Sequence, residues 1–240
     1  MSALSLGGDS LLNNSKYRYT TPISMPCGTH YGNNYHIMPS RKLNRNVCAY
    51  SNLEYENLVT LEMNPEVEFY CEQPDTVSVM VDGTVRKTTF DVYVYYRDGS
   101  EEIQEVKYYD ELHSNSTKGL RDQEQINTQK IWCNANHIQH IVRTDREIEI
   151  GNFTIRNLTW LAAKARRIHK SDSNEACKYI CNYLANHNTI TIGMLYEAGL
   201  LNRSTGLDMI AELVYCGKVI LKDIHLEVIS NASEVMLYGK

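Results

Sequence analysis

The chain has 240 residues, of which 42% are hydrophobic and 22% are charged. A chain of this size can bury one good core and a smaller second one, so we expect one or two globular domains. The formal net charge of −5 excludes a protein that attracts nucleic acid through overall positive charge, so any DNA contact must be local or shared with partners.

The sequence shows no targeting or membrane signal. Residues 1–10 lack a basic segment followed by an apolar run, and no later segment approaches the length of a membrane span. The seven cysteines are scattered without CxxC spacing, which argues against a disulfide framework or a zinc ribbon. We therefore expect a cytoplasmic protein with no membrane partner.

The first half of the chain predicts an α/β layer fold. Residues 1–45 are rich in Ser, Asn, Gly, Tyr and Pro without periodicity, which predicts an irregular arm. Ser51 and Glu54 have the spacing of a capping box, and the helix they open should end at Asn64. A second helix is predicted over 117–134, and strands are predicted over 67–71, 77–81, 84–96, 101–109 and 138–142.

The second half predicts a small winged-helix domain. A helix over 155–167 closes the first domain, and 171–174 has the composition of a hinge. Beyond the hinge we predict helices that begin near 174, 191 and 204, and two terminal strands over 219–222 and 225–229. The predicted domains are the arm 1–45, a first domain 46–170 and a winged helix 171–240.

The predicted groove-facing helix of the winged domain, 204–216, carries Asp208 and Glu212, with only Arg203 nearby. Acidic side chains repel phosphate, so we expect this domain to bind protein rather than read DNA sequence. Two basic clusters are the candidate phosphate contacts, with a merely solvated surface as the alternative. They comprise Arg41, Lys42, Arg45, Lys164, Arg166, Arg167 and Lys170.

The residues that best indicate chemistry are Asp91, Glu105 and Lys107, with Glu54 on the preceding helix. Side chains alternate along a strand, so Glu105 and Lys107 share a face. An odd number of residues in the loop around 97–99 places Asp91 on that face, opposite one of them. A two-residue loop places it opposite Val106 instead.

Such a set could hydrolyse a phosphodiester. Asp91, Glu105 and the main-chain carbonyl of Val106 can hold Mg²⁺, which prefers oxygen ligands. Lys107 can orient the attacking water, help to deprotonate it, or offset developing charge, and Glu54 could complete a second metal position. The alternative is a set of cross-strand ion pairs on an exposed sheet, with Glu54 serving only as the helix cap.

The order of these motifs resembles the PD-(D/E)xK nuclease superfamily, and their flanks are similar to the TnsA endonuclease subunit of TnsABC-type transposons. The similarity covers roughly residues 40–165. It is carried by Ser51-Asn-Leu-Glu54, Thr89-Phe-Asp91-Val, Gln104-Glu-Val-Lys107, Val142-Arg-Thr-Asp-Arg-Glu-Ile148 and Asn157-Leu-Thr-Trp160-Leu161.

The resemblance implies a restriction-endonuclease-like mixed sheet flanked by helices, followed by the small winged-helix domain. It implies a Mg²⁺-dependent endonuclease, with Mn²⁺ able to substitute, that cuts the 5′ strand at transposon ends. Asp91 and Glu105 would bind the metal, Lys107 would serve the water and Glu54 would assist. Its partners would be an integrase-like transposase and an ATP-binding regulator, in the bacterial cytoplasm and on the nucleoid when active.

Two other functions stay open from the sequence. One is a non-catalytic DNA-associated adaptor or regulator, in which the winged helix acts and the sheet is scaffold. The other is a stand-alone repair or homing nuclease with the same core. A catalytic sheet should gather Asp91, Glu105 and Lys107 at an open cleft, whereas a scaffold need not.

Overall fold

A computed structural model describes residues 16–24, 34–168, 174–187 and 190–239. In chain order the first part contains β1 (His36–Ser40), β2 (Arg45–Ala49), α1 (Asn52–Met63), β3 (Val67–Glu72), β4 (Thr76–Val81), β5 (Thr84–Thr89), β6 (Val92–Tyr96), β7 (Glu101–Lys107), α2 (Tyr109–Leu112), α3 (Thr117–Ala135), β8 (Gln139–Thr144), α4 (Asp145–Ile148) and α5 (Thr154–Ala165). The second part contains α6 (Asn174–Ala185), β9 (Ile190–Thr191), α7 (Ile192–Glu197), α8 (Gly206–Tyr215), β10 (Val219–Leu221) and β11 (Glu234–Leu237). None of the described helices has the length and apolar character needed to cross a bilayer.

A four-stranded mixed sheet, in the order β3-β6-β7-β8, organises the first part. The pairs β3–β6 and β6–β7 are antiparallel, and β8 runs parallel to β7 after the crossover through α3. Leu58 and Val59 of α1 pack on one face with Val92, while Cys133 of α3 packs on the other with Tyr93. This mixed sheet flanked by helices fits the restriction-endonuclease-like fold.

The single strand predicted over 84–96 is wrong. The chain forms two strands in different sheets, because β5 pairs only with β4 in a hairpin and β6 enters the main sheet. The break falls at Phe90 and Asp91. Phe90 is fully buried against Trp132, with ring centroids 5.1 Å apart. Its side chain fits the alternating pattern of a continuous strand, but in the structure it holds the bend between β5 and β6 in the core.

The described residues of the segment predicted as an irregular arm include a strand. Its last residues form β1, which pairs with β2 as an antiparallel hairpin. Residues 16–24 lie against the sheet, where Tyr17 stacks on Phe69 at 4.1 Å and Tyr19 meets Tyr93 edge-on at 5.4 Å. The aromatic residues of the arm therefore cover the aromatic side of β3 and β6.

The second part is built from α6, β9, α7, α8, β10 and β11, with a sheet in the order β10-β11-β9. The strand predicted over 225–229 is wrong, since 222–233 is a loop. Asn157 of α5 accounts for this loop, because its Nδ2 donates to the carbonyl oxygens of Ile224 (2.7 Å) and Glu227 (2.6 Å), and its Oδ1 accepts from the Ile229 N–H. These bonds satisfy backbone groups that strand pairing would otherwise have to satisfy.

The helix α8 lies in the interior, and none of its residues is exposed. The expected acidic surface on it is therefore wrong. Asp208 forms an ion pair with Lys164 at 3.0 Å, and Glu212 forms one with Arg41, while both carboxylates are buried. Buried charges need partners, and the first part of the chain supplies them.

Candidate active site

The register of β6 and β7 brings Asp91 and Glu105 face to face. The connecting loop 97–99 has three residues, since the Tyr96 N–H donates to the Ser100 carbonyl oxygen. Val92 pairs with Gln104, so the next position places Asp91 opposite Glu105. This is the register that the odd loop length was expected to give.

The carboxylate of Asp91 is held at the start of β6 by the backbone of β7. Its Oδ2 accepts a hydrogen bond from the Val106 N–H at 2.7 Å. Burial raises the pKa of Asp91, while the charge of Lys107 and the Val106 N–H oppose that rise. Glu105 also opposes the rise in the pKa of Asp91.

Glu105 is fully buried, with none of its surface exposed. Lys107 Nζ donates to its Oε1 at 2.5 Å, and Gln129 Nε2 donates to its Oε2 at 2.6 Å. Burial, followed by the negative charge of Asp91, raises the pKa of Glu105 to about 8. Each oxygen of this carboxylate thus has a fixed donor.

Lys107 is surrounded by carboxylates. Besides Glu105, its Nζ lies 3.8 Å from Asp122 Oδ1. Burial lowers the pKa of Lys107, but the charges of Glu105, Asp91 and Asp122 outweigh it and the net pKa is raised. Lys107 is therefore a cationic hydrogen-bond donor in this arrangement, which suits charge stabilisation better than proton abstraction.

Glu54 caps α1, and its carboxylate is influenced by the charge of Asp91. The Tyr50 N–H donates to its Oε2 at 3.0 Å, and the Ser51 hydroxyl donates to its Oε1 at the same distance. Burial and then the charge of Asp91 raise its pKa to about 7. The hydrogen bonds of Glu54 show its role as the cap of α1, and the charge of Asp91 influences its carboxylate.

Two residues of α3 complete the site, and neither was predicted from the sequence. Asp122 faces Lys107, and Gln129 is fully buried with its amide on Glu105. They stand seven residues apart, which puts them on one stripe of a helix. This spacing could have indicated that the two residues face the sheet together. It does not stand out in the sequence, because most residues of α3 are polar.

Gln129 positions Glu105 through a network that reaches β8. Its Nε2 also lies 3.2 Å from the Thr88 hydroxyl, and its Oε1 lies 2.8 Å from His140 Nε2. Gln129→Met keeps the side-chain length but removes every one of these polar contacts. We expect it to lower the rate of DNA cleavage about 10- to 100-fold, the usual effect of losing a residue that orients a metal-binding group.

Single-turnover cleavage by Gln129→Met would measure this effect. Gln123→Met is the matched control, because Gln123 lies on the same helix but is exposed. Equal rates for Gln129→Met and the wild type would show that Glu105 needs no support from α3.

His140 makes the stability of the fold depend on pH. Burial, followed by the charge of Lys130, lowers its pKa to about 4, and its Nδ1 is buried without a hydrogen-bond partner among the described residues. An unfolded chain protonates histidine near pH 6.5, whereas the folded chain does so only near pH 4. Stability from this residue is therefore complete above pH 6.5 and declines as the pH falls toward 4.

Between pH 7 and pH 4, the contribution of His140 to the free energy of unfolding should fall by about 1 to 2 kcal/mol, and His140→Gln should remove this fall; urea unfolding measures it. The loss is smaller than the full change in pKa would give, because the ring is partly exposed to solvent. The pH dependence that remains in His140→Gln belongs to other groups. An unchanged difference between pH 7 and pH 4 in this variant would contradict the assignment to His140.

Most of the predicted phosphate contacts already have partners in the chain. Arg41 pairs with Glu212, Arg45 with Glu72 at 2.6 Å, and Lys164 with Asp208. Lys42 Nζ donates to the carbonyl oxygens of Asn64 and Val67, and burial lowers the pKa of Lys42 to about 8. These four residues therefore make contacts between elements of the chain itself.

Arg166 and Arg167 are exposed, and neither has a carboxylate partner among the described residues. Arg166 donates to the Pro39 carbonyl oxygen at 2.8 Å. Lys170 and most of the predicted hinge 171–174 lie outside the described residues.

The donor chemistry of the site fits a divalent cation. Asp91, Glu105 and Asp122 provide carboxylate oxygens around Lys107, and Asp122 Oδ2 is buried without a hydrogen-bond partner in the described chain. Oxygen-rich sites with few protein ligands suit Mg²⁺, which keeps part of its water. Within the described residues, no group of three or more His, Cys, Asp and Glu side chains is arranged to hold a metal ion.

The mixed sheet flanked by helices fits a restriction-endonuclease-like fold. Residues 64–145 match the protein family described as TnsA-like endonuclease N terminal, and the resemblance drawn from the sequence is confirmed. This segment runs from the end of α1 to the start of α4, so it contains Asp91, Glu105, Lys107 and both α3 residues. No curated protein matches the chain. The family match suggests nuclease activity in transposition.

Proposed function

We propose that the chain is a Mg²⁺-dependent DNA endonuclease that hydrolyses the 5′ strand at transposon ends, as one subunit of a heteromeric transposase. The observation that carries this proposal is the Glu105 carboxylate, fully buried and clamped between Lys107 and Gln129 opposite Asp91. Burying charged groups is unfavourable unless they are paired, and such clusters concentrate at functional sites. An exposed network of cross-strand ion pairs would not require this enclosure.

Asp91, Glu105 and the Val106 carbonyl would hold Mg²⁺, which when bound polarises the phosphate and activates water. Mn²⁺ has the same preference for oxygen and could substitute. Lys107 lies where its ammonium group can donate to a phosphate oxygen or to the attacking water. Glu54 and Asp122 add negative charge around this position. Gln129 keeps the Glu105 carboxylate from turning away.

The strand choice and the partners are carried over from the family. A subunit that cuts only one strand needs a second nuclease for the other, which would be the integrase-like transposase. An ATP-binding regulator would control the assembly. A bacterial protein of this kind would work in the cytoplasm, on the nucleoid when active.

We also propose that 174–239 is a winged-helix domain used for packing and protein contact. The order α6, β9, α7, α8, β10, β11 and the central position of β11 in the sheet support the assignment. The helix that would enter a DNA groove, α8, is buried, and Asn157 pins the loop 222–233 that would act as the wing. DNA contact near this domain would fall to Arg166 and Arg167.

The test is cleavage of a transposon-end duplex labelled on either strand, in Mg²⁺, with the chain alone and with the companion transposase. The proposal expects cutting of the 5′ strand only when both proteins are present. Cutting by the chain alone would favour a stand-alone nuclease. No cutting by either preparation, with the duplex still bound, would favour the non-catalytic adaptor.

A further inference from the structure

Gln73 stands directly after β3 in a backbone conformation that glutamine rarely adopts. Its φ is 36°, in the left-handed region that favours glycine, and the residue is only 5% exposed. Pro74 follows, and a proline restricts the residue before it to extended conformations. Strained positions of this kind persist where the surrounding contacts hold them, and they concentrate at functional sites. The contacts that Gln73 makes therefore indicate its role.

The backbone of Gln73 is bound to the segment that carries Asp91. In the pairing of β3 with β6, Glu72 lies opposite Val92, so the next position on β3 places Gln73 opposite Asp91. The Gln73 N–H donates to the Asp91 carbonyl oxygen at 2.8 Å, and the Gln73 carbonyl oxygen accepts from the Ile23 N–H at 2.9 Å. Both backbone groups of this buried residue are thus satisfied, and the bond to Asp91 holds the chain where β6 begins.

The side chain of Gln73 reaches the carboxylate of Glu54. Its Nε2 donates to Glu54 Oε2 at 3.3 Å, and the Tyr50 N–H donates to the same oxygen at 3.0 Å. To cap α1, Glu54 needs only its bonds with Tyr50 and Ser51. The bond from Gln73 comes from the end of β3, 19 positions away, so helix capping does not account for it.

A neutral amide is a suitable donor for a carboxylate that is to bind a cation. It orients the carboxylate and leaves its negative charge, whereas a lysine or arginine in the same place would offset that charge and repel the metal ion. The same arrangement occurs at Glu105, where the Gln129 amide donates to Oε2 at 2.6 Å. Hydrogen bonds of this kind fix ligating carboxylates in metal sites. Gln73 therefore makes to Glu54 the kind of contact that Gln129 makes to Glu105.

We infer that Gln73 positions Glu54 as a ligand for the cation, directly or through a metal-bound water, by joining its carboxylate to the segment that carries Asp91. The cation itself rests on the proposed function, whereas the two contacts of Gln73 do not. Removing the side-chain contact should leave the backbone contact to Asp91 in place. The effect of the Gln73 side chain on metal binding should therefore pass entirely through Glu54.

The experiment measures Mn²⁺ binding to the full chain without DNA, from the electron paramagnetic resonance signal of free Mn²⁺. Gln73→Met keeps the length of the side chain and the backbone bond to Asp91, but it removes the donor to Glu54. Losing a residue that orients a ligand should weaken Mn²⁺ binding about 10-fold. Gln123→Met is the matched control, since Gln123 is exposed and this variant should bind Mn²⁺ like the wild type.

Gln73→Asn is a second variant, which guards against a loss of folding in the first. Asparagine adopts the left-handed conformation more readily than most residues, yet its shorter side chain draws the amide back from Glu54. This variant should remain folded, as thermal unfolding would show, and should bind Mn²⁺ as weakly as Gln73→Met. Wild-type Mn²⁺ affinity in both variants would overturn the inference.

The same measurement on Glu54→Gln and on Glu54→Gln/Gln73→Met tests whether Gln73 acts through Glu54. Once the carboxylate is gone, Gln73→Met should change the Mn²⁺ affinity no further. A second loss of about 10-fold in the double variant would show that Gln73 acts on the fold instead, and would overturn the inference. So would the absence of Mn²⁺ binding by the wild type.

Cleavage of the transposon-end duplex separates this inference from the proposed function. Weaker Mn²⁺ binding in Gln73→Met, with no further effect in the Glu54→Gln background, supports the role of Gln73 even if no DNA is cut. Cleavage by the wild type, with equal Mn²⁺ affinity in Gln73→Met, leaves the endonuclease standing and removes Gln73 from its metal site.

Discussion

Asp91→Asn is expected to lower the rate of Mg²⁺-dependent DNA cleavage by about 1000-fold or more, with little change in stability. The substitution removes a negative charge opposite Glu105 and beside Lys107. Asparagine keeps the size of the side chain and an oxygen that can still accept the Val106 N–H. The loss of a buried charge also relieves repulsion between the carboxylates, so the fold should tolerate it.

Cleavage rates and thermal unfolding of Asp91→Asn would be measured side by side. The control is Asp82→Asn, the same exchange in the turn of the β4–β5 hairpin. Asp82 has a φ of 48°, a conformation that asparagine accepts readily, so this variant should cut and unfold like the wild type. Cleavage by Asp91→Asn at the wild-type rate would remove Asp91 from the catalytic set.

Arg41→Met is expected to lower the free energy of unfolding by about 3 kcal/mol or more. The Arg41 guanidinium pairs with Glu212 of α8, donates to the Ala165 carbonyl oxygen at 3.0 Å and lies 4.7 Å from the Tyr215 ring centroid. Glu212 is 2% exposed, so removal of Arg41 leaves a buried carboxylate without its partner. The contact joins the β1–β2 hairpin to the second part of the chain.

Urea unfolding measures this loss. The double variant Arg41→Met/Glu212→Leu should recover much of it, because an apolar pair of similar volume avoids the unpaired charge. A decrease in the free energy of unfolding below about 1 kcal/mol in Arg41→Met would show that the ion pair is solvated. Arg41 would then be free to contact phosphate, as predicted from the sequence.

The sequence could predict the elements whose pattern is local. The capping box at Ser51 placed α1, because its hydrogen bonds join residues three positions apart. The register of Asp91 against Glu105 depended only on the length of one loop. The family resemblance needed only short motifs in order, and the matched segment 64–145 contains the central ones.

Features that depend on contacts between distant residues could not be predicted. The alternation of apolar and polar residues continues through Phe90, so the sequence does not indicate that the chain passes from one sheet to another there. Only the packing of the Phe90 side chain in the core reveals the break. Asp208 and Glu212 looked like surface acids, because their partners lie far away in the sequence, at Lys164 and Arg41. Gln129 acts on Glu105 across 24 positions, which a polar helix does not disclose.

The most direct test of metal-dependent cleavage at Asp91 uses a transposon-end duplex with the wild type and with Asp91→Asn. Each protein is assembled with the companion transposase, in Mg²⁺ and in EDTA. We expect a cut in the 5′ strand only for the wild type in Mg²⁺. Both proteins should assemble equally well on the duplex. A 5′-strand cut that persists with Asp91→Asn, or in EDTA, would contradict a metal-dependent site built on Asp91 and Glu105.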